Sequence, residues 1–219
     1  MAVKQKSKSV EFKGDEYEEL LGNKHKYFIK RKCVLLRQII DKYPGKVLEL
    51  ASGTGEAQQM LGDGAICADF SLSMLQQAGK KGITRLVNAD ASRLPFKEST
   101  FDVIYSFSLF HHLNAQQKVL AIKEARRVLK PNGVFVTFEH NPLNPITQIF
   151  VKSCPIDKDA ELITHRKLGN LKEKEGFRII ETRFFLLSPK EIKFMEKIED
   201  KLSKLPLGGQ YYLLAKNIK

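Results

Sequence analysis

A chain of 219 residues, 42% of them hydrophobic, has the size of one ordinary domain, and with no long apolar stretch it excludes a transmembrane span. Met1 to Gly14 is polar and lysine-rich, which excludes a secretory leader, and three scattered cysteines (Cys33, Cys67, Cys154) predict reduced thiols in a cytoplasmic protein with no metal site. The net charge of +12 favours an anionic partner, whether substrate, membrane surface or nucleic acid, and is equally compatible with a plainly basic, soluble surface.

In chain order, residues 1–14 are expected to be disordered. Tyr17–Leu21 and Tyr27–Ile40 then read as two helices. Val47–Leu50 is a buried strand that carries Glu49, and Ala51-Ser52-Gly53-Thr54-Gly55 is a small-residue turn leading into a helix at Glu56. Glycines at such a turn let a ligand lie against the backbone, facing the amide donors of the helix start. A dinucleotide fingerprint would need a third glycine where Gln58 stands, and an anionic pyrophosphate would be repelled by Glu49. A carboxylate there suits a cation, such as the amino group of a methionine moiety. Ala65–Asp69 and Leu86–Asp90 are two further apolar runs ending on an acid, and Phe101–Ser108 is a third buried run leading into Leu109-Phe110-His111-His112-Leu113. The helix Gln116–Leu129, the turn Lys130-Pro131-Asn132-Gly133 and the strand Val134–Phe138 continue an alternation that predicts a parallel sheet covered on both faces.

The segments ELASGTG, ADFSLSML, NADASRLPF, FDVIYSFSLFHHL and EARRVLKPNG, in that order and spacing, closely resemble the class I S-adenosylmethionine-dependent methyltransferases, in particular the small-molecule branch that includes the ubiquinone-biosynthesis enzymes. The likeness covers roughly residues 40–140. It implies an α/β, Rossmann-like doubly wound sheet of seven strands, mostly parallel with the last strand antiparallel, in a single domain over 1–219. Within it, 15–43 would be a helical cover, 44–140 the cofactor-binding core, and 141–219 a lid, substrate-side helices and closing strands. The family usually has glycine where this chain has Ala51, so a slightly adjusted turn is expected.

The resemblance implies S-adenosyl-L-methionine as cofactor and S-adenosyl-L-homocysteine as product. Carried over residue by residue, it places the turn Ala51, Ser52, Gly53 and Gly55 against the cofactor, with Glu49 for the methionine amino group. Asp69 accepts from the ribose hydroxyls, unless it caps the next helix. Phe70 and Met74 flank the adenine side, and Asp90 with Ala91 reads the adenine unless Asp90 forms an Asx turn. Ser106 and Phe107 line the methionine arm, His111 frames the pocket, and Tyr27 of the N-terminal cover is a further contact. Methyl transfer from a sulfonium is an in-line displacement, and holding the reacting atoms collinear in a water-poor pocket supplies most of the acceleration. If the acceptor must lose a proton, His140 is the first candidate base and His112 the second. His140 could instead serve only to order His140-Asn141-Pro142-Leu143-Asn144-Pro145.

That proline-flanked segment and the apolar helix expected at Ile146–Val151 read as a substrate lid or as a rigid crossover. Arg166–Glu175 reads as a helix, Phe177–Leu187 as a strand, and Tyr211–Lys216 as the closing strand. Ser188-Pro189-Lys190-Glu191 reads as a capping box opening a helix, on which Lys190, Lys193, Lys197, Lys201 and Lys204 share an arc of about 80°. Such a stripe either rests on an anionic membrane or is a solvated face. The leading function is methyl transfer to a small-molecule acceptor, anionic or lipid-linked. The alternatives are an RNA methyltransferase and a non-catalytic cofactor-binding protein. Nucleic acid is disfavoured: Ser106-Phe107-Ser108-Leu109 stands where base-amine enzymes carry an Asp/Asn-Pro-Pro-aromatic turn, and Cys154-Pro155 reverses the order that cytosine-carbon enzymes use.

Overall fold

In a computed structural model, residues 14–62, 64–157 and 160–219 are described, with side chains from Lys26 onward except Lys193. The expected disorder of 1–14 falls, but for Gly14, outside these residues. A seven-stranded sheet runs in the order β3-β2-β1-β4-β5-β7-β6, built from β1 (Val47–Leu50), β2 (Ala65–Asp69), β3 (Leu86–Asn88), β4 (Phe101–Phe107), β5 (Leu129–His140), β6 (Phe177–Phe185) and β7 (Gln210–Asn217). β1 through β5 pair in parallel, and β7 inserts antiparallel between β5 and β6. No helix among the described residues is long and apolar enough to cross a membrane.

Strand alternation divides the core between the two faces. Leu48, Leu50, Ile104, Phe135, Leu213 and Ala215 point to one side, where they meet Ile122 and Ala125 of α4 (Ala115–Val128) and Leu168 of α6 (His165–Lys174). Val47, Val103, Tyr105, Val136, Phe138 and Leu214 point to the other, where Leu35, Leu36 and Ile39 of α1 (Gly14–Lys42) cover them. Burial on both faces is what a parallel sheet requires. It confines polar chemistry to the strand ends, where α2 (Glu56–Leu61) and α3 (Leu72–Lys80) follow β1 and β2.

Three expectations are corrected. The two N-terminal helices are one continuous α1, which runs through Gly22 and Asn23 despite their low helix propensity. Lys130–Gly133 is not a turn before a strand but lies inside β5, as an irregularity where the register passes from Phe101↔Leu129 to Val103↔Val134 and Asn132 takes φ 65°. Ser188–Glu191 opens no helix. The Ser188 hydroxyl accepts from the Lys190 amide instead, and α7 runs only over Lys193–Leu202 with Ile192 at its start. Lys190 and Lys204 therefore lie outside the helix, and the lysine stripe is broken.

On α7 the decisive residue is Glu199, 3% exposed, which receives Arg31 Nη2 of α1 at 2.5 Å and the Leu186 amide at 2.7 Å. This buried pair fastens α7 and the end of β6 to the N-terminal helix. Glu199→Ala removes one of the two carboxylates that hold Arg31, leaving Glu196 at 3.3 Å, and should cost about 1.5–3 kcal/mol, measured as a lowered denaturant midpoint; a change under about 1 kcal/mol, the range of exposed pairs, would mean that the pair is solvated.

Candidate active site

The sheet's strand order reverses between β1 and β4, and ligands in open α/β sheets bind beyond the carboxyl ends of the strands at such a point. In register, Leu50 pairs with Ala68 of β2 on one side and Ser106 of β4 on the other, so Ala51, Asp69 and Phe107 emerge side by side. Ala51 adopts φ 56°, keeping the left-handed turn that glycine favours, at a strain of about 1–2 kcal/mol. Gly53 follows at φ 55°, and no atom stands within 4 Å of where its Cβ would be.

Asp69 holds this turn in place. Its Oδ2 accepts the Gly53 amide and its Oδ1 the Ser71 amide, both at 2.8 Å, while Ser71 itself caps α3 through the Met74 amide. Burial pushes the Asp69 carboxyl up, opposed by the two amide bonds. Glu49 is buried, receives Gln58 Nε2 at 3.2 Å and the Cys67 thiol, and is pushed up to about 7, chiefly by desolvation. Phe70 projects from the rim, 71% exposed, and Met74 lies half-buried on the first turn of α3. Asp90 forms the Asx turn, its Oδ1 accepting the Ser92 amide and hydroxyl, with Ala91 half-buried beside it. The buried hydroxyls of Ser52 and Ser106 have no hydrogen-bond partner among the described residues.

These features fit an adenosine bearing an amino-acid arm. Two orphaned hydroxyls, an open space over Gly53, a buried carboxylate and an exposed aromatic stand together at the ends of β1, β2 and β4. Ligand-binding sites are where such unpaired groups are tolerated.

The histidines gather next to it. A 3₁₀ turn at Phe110–His112 follows β4, and Glu139 near the end of β5 receives the Phe110 amide at 2.7 Å and His111 Nδ1 at 2.6 Å. The His111 Nε2 lies 3.4 Å, the His112 Nε2 3.5 Å and the His140 Nε2 3.8 Å from the carboxylate of Asp157. Glu139 and Asp157 draw His111 up to about 9 against its burial. Burial and the His111 charge push His112 down to about 4 and His140 to about 3. Buried and so weakly basic, His140 is poorly suited to take a proton near neutrality. Its segment is instead fastened: Asn141 Nδ2 donates to Gly208 O at 2.8 Å, and Asn144 Nδ2 to Leu207 O at 2.7 Å. Beyond this anchor α5 (Pro145–Ser153) exposes Ile146 and Ile149 and sets Phe150 edge-on to Phe28 of α1.

Two functional-looking residues escaped the sequence reading. Lys32 on α1 is 3% exposed, donates to Ser108 Oγ at 2.9 Å and lies over the Phe107 ring; burial pushes it down to about 8. A lysine four residues after Phe28 and four before Leu36, on the apolar arc of a helix, was the available signal. Tyr27 packs against the apolar cluster under α1 beside Phe28, and Lys32 is a side chain that α1 brings to the end of β4. Asp157 sits in a short 3₁₀ turn after the lid helix, where no sequence periodicity marks it.

Residues 48–137 match the model of a methyltransferase domain. A demethylmenaquinone methyltransferase of Thermobifida fusca is 36% identical over 124 residues, 50% of this chain and 51% of that protein. A ubiquinone/menaquinone biosynthesis C-methyltransferase of Haemophilus ducreyi is 36% identical over 121 residues, 48% of this chain and 46% of that one. The chain spans about half the length of the curated relatives it matches. Among solved structures, a SAM-dependent methyltransferase from Thermotoga maritima covers 94% of this chain and 95% of its own at TM-score 0.71 and 21% identity. The fold is that of the class I S-adenosylmethionine-dependent methyltransferases. Residues 48–137 thus resemble a methyltransferase domain and are similar to enzymes of quinone biosynthesis, a likeness that implies S-adenosylmethionine as the cofactor.

Gly53→Ala separates the turn's two roles. With open space for the methyl group, the substitution should cost only about 1–2 kcal/mol of left-handed strain. S-adenosylhomocysteine binding by calorimetry should nevertheless fall at least tenfold; unchanged affinity would show that nothing lies over this glycine.

Proposed function

We propose that the protein methylates a small, largely apolar acceptor bearing an oxygen or an acidic carbon, in the manner of quinone-type substrates. What supports this reading is the placement at the β1/β4 switch point of Glu49, Asp69 and the Gly53 turn, with Lys32 of the helical cover reaching the end of β4 and Phe28 set against Phe150 of the lid helix. When bound, S-adenosylmethionine supplies a methyl group on a positively charged sulfur.

The residues then divide the work. Glu49 would hold the amino group of the methionine arm, Asp69 the ribose hydroxyls, and Phe70, Met74, Asp90 and Ala91 the adenine. Ser52 and Ser106 offer hydroxyls toward the arm, and His111 braces the wall through Glu139. Phe28 and Phe150 close the acceptor side against water, which sharpens any charge interaction inside. Lys32, held near 8, is poised either to stabilise an acceptor oxyanion or to take a proton. The exposed Ile146 and Ile149 favour an apolar acceptor body over a polyanion. The relatives named for demethylmenaquinone and ubiquinone/menaquinone methylation point the same way.

Labelled S-adenosylmethionine offered with demethylated quinols, small phenols and transfer RNA tests the reading. Turnover on the first two and none on RNA is expected; transfer to RNA, with affinity falling steeply with salt, would overturn it.

Protonation gives a second check. Glu49 is a carboxylate above about 7 and neutral below. S-adenosylhomocysteine should therefore bind more tightly as pH rises from 6 to 8, and Glu49→Gln should bind weakly with a flat profile. A profile left intact by that substitution would remove Glu49 from the site.

Lys32 makes a third. Its charged form is penalised by burial, fully below about 8 and less as pH rises toward the ordinary 10.5. Lys32→Met should raise stability at pH 7 by about 0.5–2 kcal/mol while lowering kcat, and the gain should shrink at alkaline pH. A destabilised variant with full activity would make Lys32 a structural residue.

A further inference from the structure

We propose that His111, His112 and Asp157 form a binding site for a divalent transition-metal ion of the zinc class, set beside the crevice on its acceptor side. One ring nitrogen of each histidine and a carboxylate oxygen of Asp157 lie within 4.8 Å of one another. The Nε2 atoms stand 3.4 Å and 3.5 Å from Asp157 Oδ1, too long for good hydrogen bonds. Two ligands each about 2.0–2.1 Å from a tetrahedral ion are separated by about 3.4 Å, so the spacing already matches that of atoms sharing an ion.

A second, independent observation is the state of His111. It is 1% exposed, and its Nε2 has no hydrogen-bond partner among the described residues. Its Nδ1 is engaged by Glu139 at 2.6 Å, the carboxylate–histidine arrangement that fixes ring orientation and turns the other nitrogen toward a metal. His140 adds a third imidazole, its Nε2 3.8 Å from Asp157 Oδ2, and Gln210 contacts its Nδ1. The Gln210 Oε1 is likewise without a partner among the described residues. With that amide turned over, Oε1 accepts from Nδ1–H and frees the His140 Nε2 as a further donor.

The donor set selects the ion. Imidazole nitrogens with one carboxylate suit zinc, cobalt, nickel or iron, whereas magnesium and calcium demand oxygen ligands. His112, with a side chain 38% exposed, gives the ion a route in and leaves a coordination position open toward solvent or an acceptor oxygen. That last role rests on the function proposed above; the binding of the ion does not.

The full-length protein, stripped with chelator and then dialysed against zinc, should retain one equivalent per chain by elemental analysis. Cobalt substitution should give the visible bands of a tetrahedral site without a thiolate charge-transfer band. Asp157→Asn and the surface-accessible His112→Gln should each weaken retention by about 100-fold, and Glu139→Gln by roughly 10–100-fold. Circular dichroism and S-adenosylhomocysteine binding on the same samples report whether each variant is folded. Zinc held equally by wild type and both ligand variants, a thiolate band, or no retention by a folded wild type would each overturn the site. In the last case the cluster is a proton-sharing ion network. Because metal is measured without cofactor or acceptor, these outcomes do not depend on whether the protein methylates quinols.

Discussion

The carboxylate of Asp69 is the point on which the site depends. Its two oxygens are taken by the amides of Gly53 and Ser71, so the end of β2 is tied at once to the turn after β1 and to the approach of α3. Without an acceptor there, the left-handed run at Ala51 and Gly53 would have nothing to offset its strain. The same bonds oppose the upward push that burial exerts on the carboxyl. A single side chain thus serves as a clamp on the backbone and as an acid fixed at the edge of the site.

The acceptor side is organised on a different principle. Charged groups are stacked around the ends of β4 and β5: buried Lys32 from the helical cover, buried His111 and Glu139 from the strand ends, and partly buried Asp157 from the turn after the lid. Each is costly away from water, and each is only partly compensated by its neighbours. Local instability of this kind is tolerated where groups must be poised for a ligand. The lid contributes the complementary property, an apolar face on α5, anchored at its base by Asn141 and Asn144 so that it stands over the charges without moving as a loose loop.

Elsewhere the structure holds its outer elements by specific pairs. Arg31 and Glu199 join the first helix to the last, and Tyr211 OH donates to Ile163 O at 2.8 Å, fastening the segment before α6 beneath β7. Such contacts are separated by more than a hundred residues in the first case and dozens in the second. No local pattern announces them.

The sequence by itself determined the sheet and the cofactor side. Apolar runs ending on Glu49, Asp69 and Ser106, with small residues in the turn after Glu49, are dictated by strand period and turn stereochemistry, which act over a few neighbouring residues. The same local reasoning failed where long-range contacts decide: at Lys130–Gly133, held within β5 by the pairing of Leu129 and Val134 with β4 on either side, and at Ser188–Glu191, whose capping signal opened no helix. Only the tertiary structure brought Lys32, Asp157 and three histidines to one place and gave each its protonation. Both depend on desolvation and on charges that meet only after the chain has closed on itself.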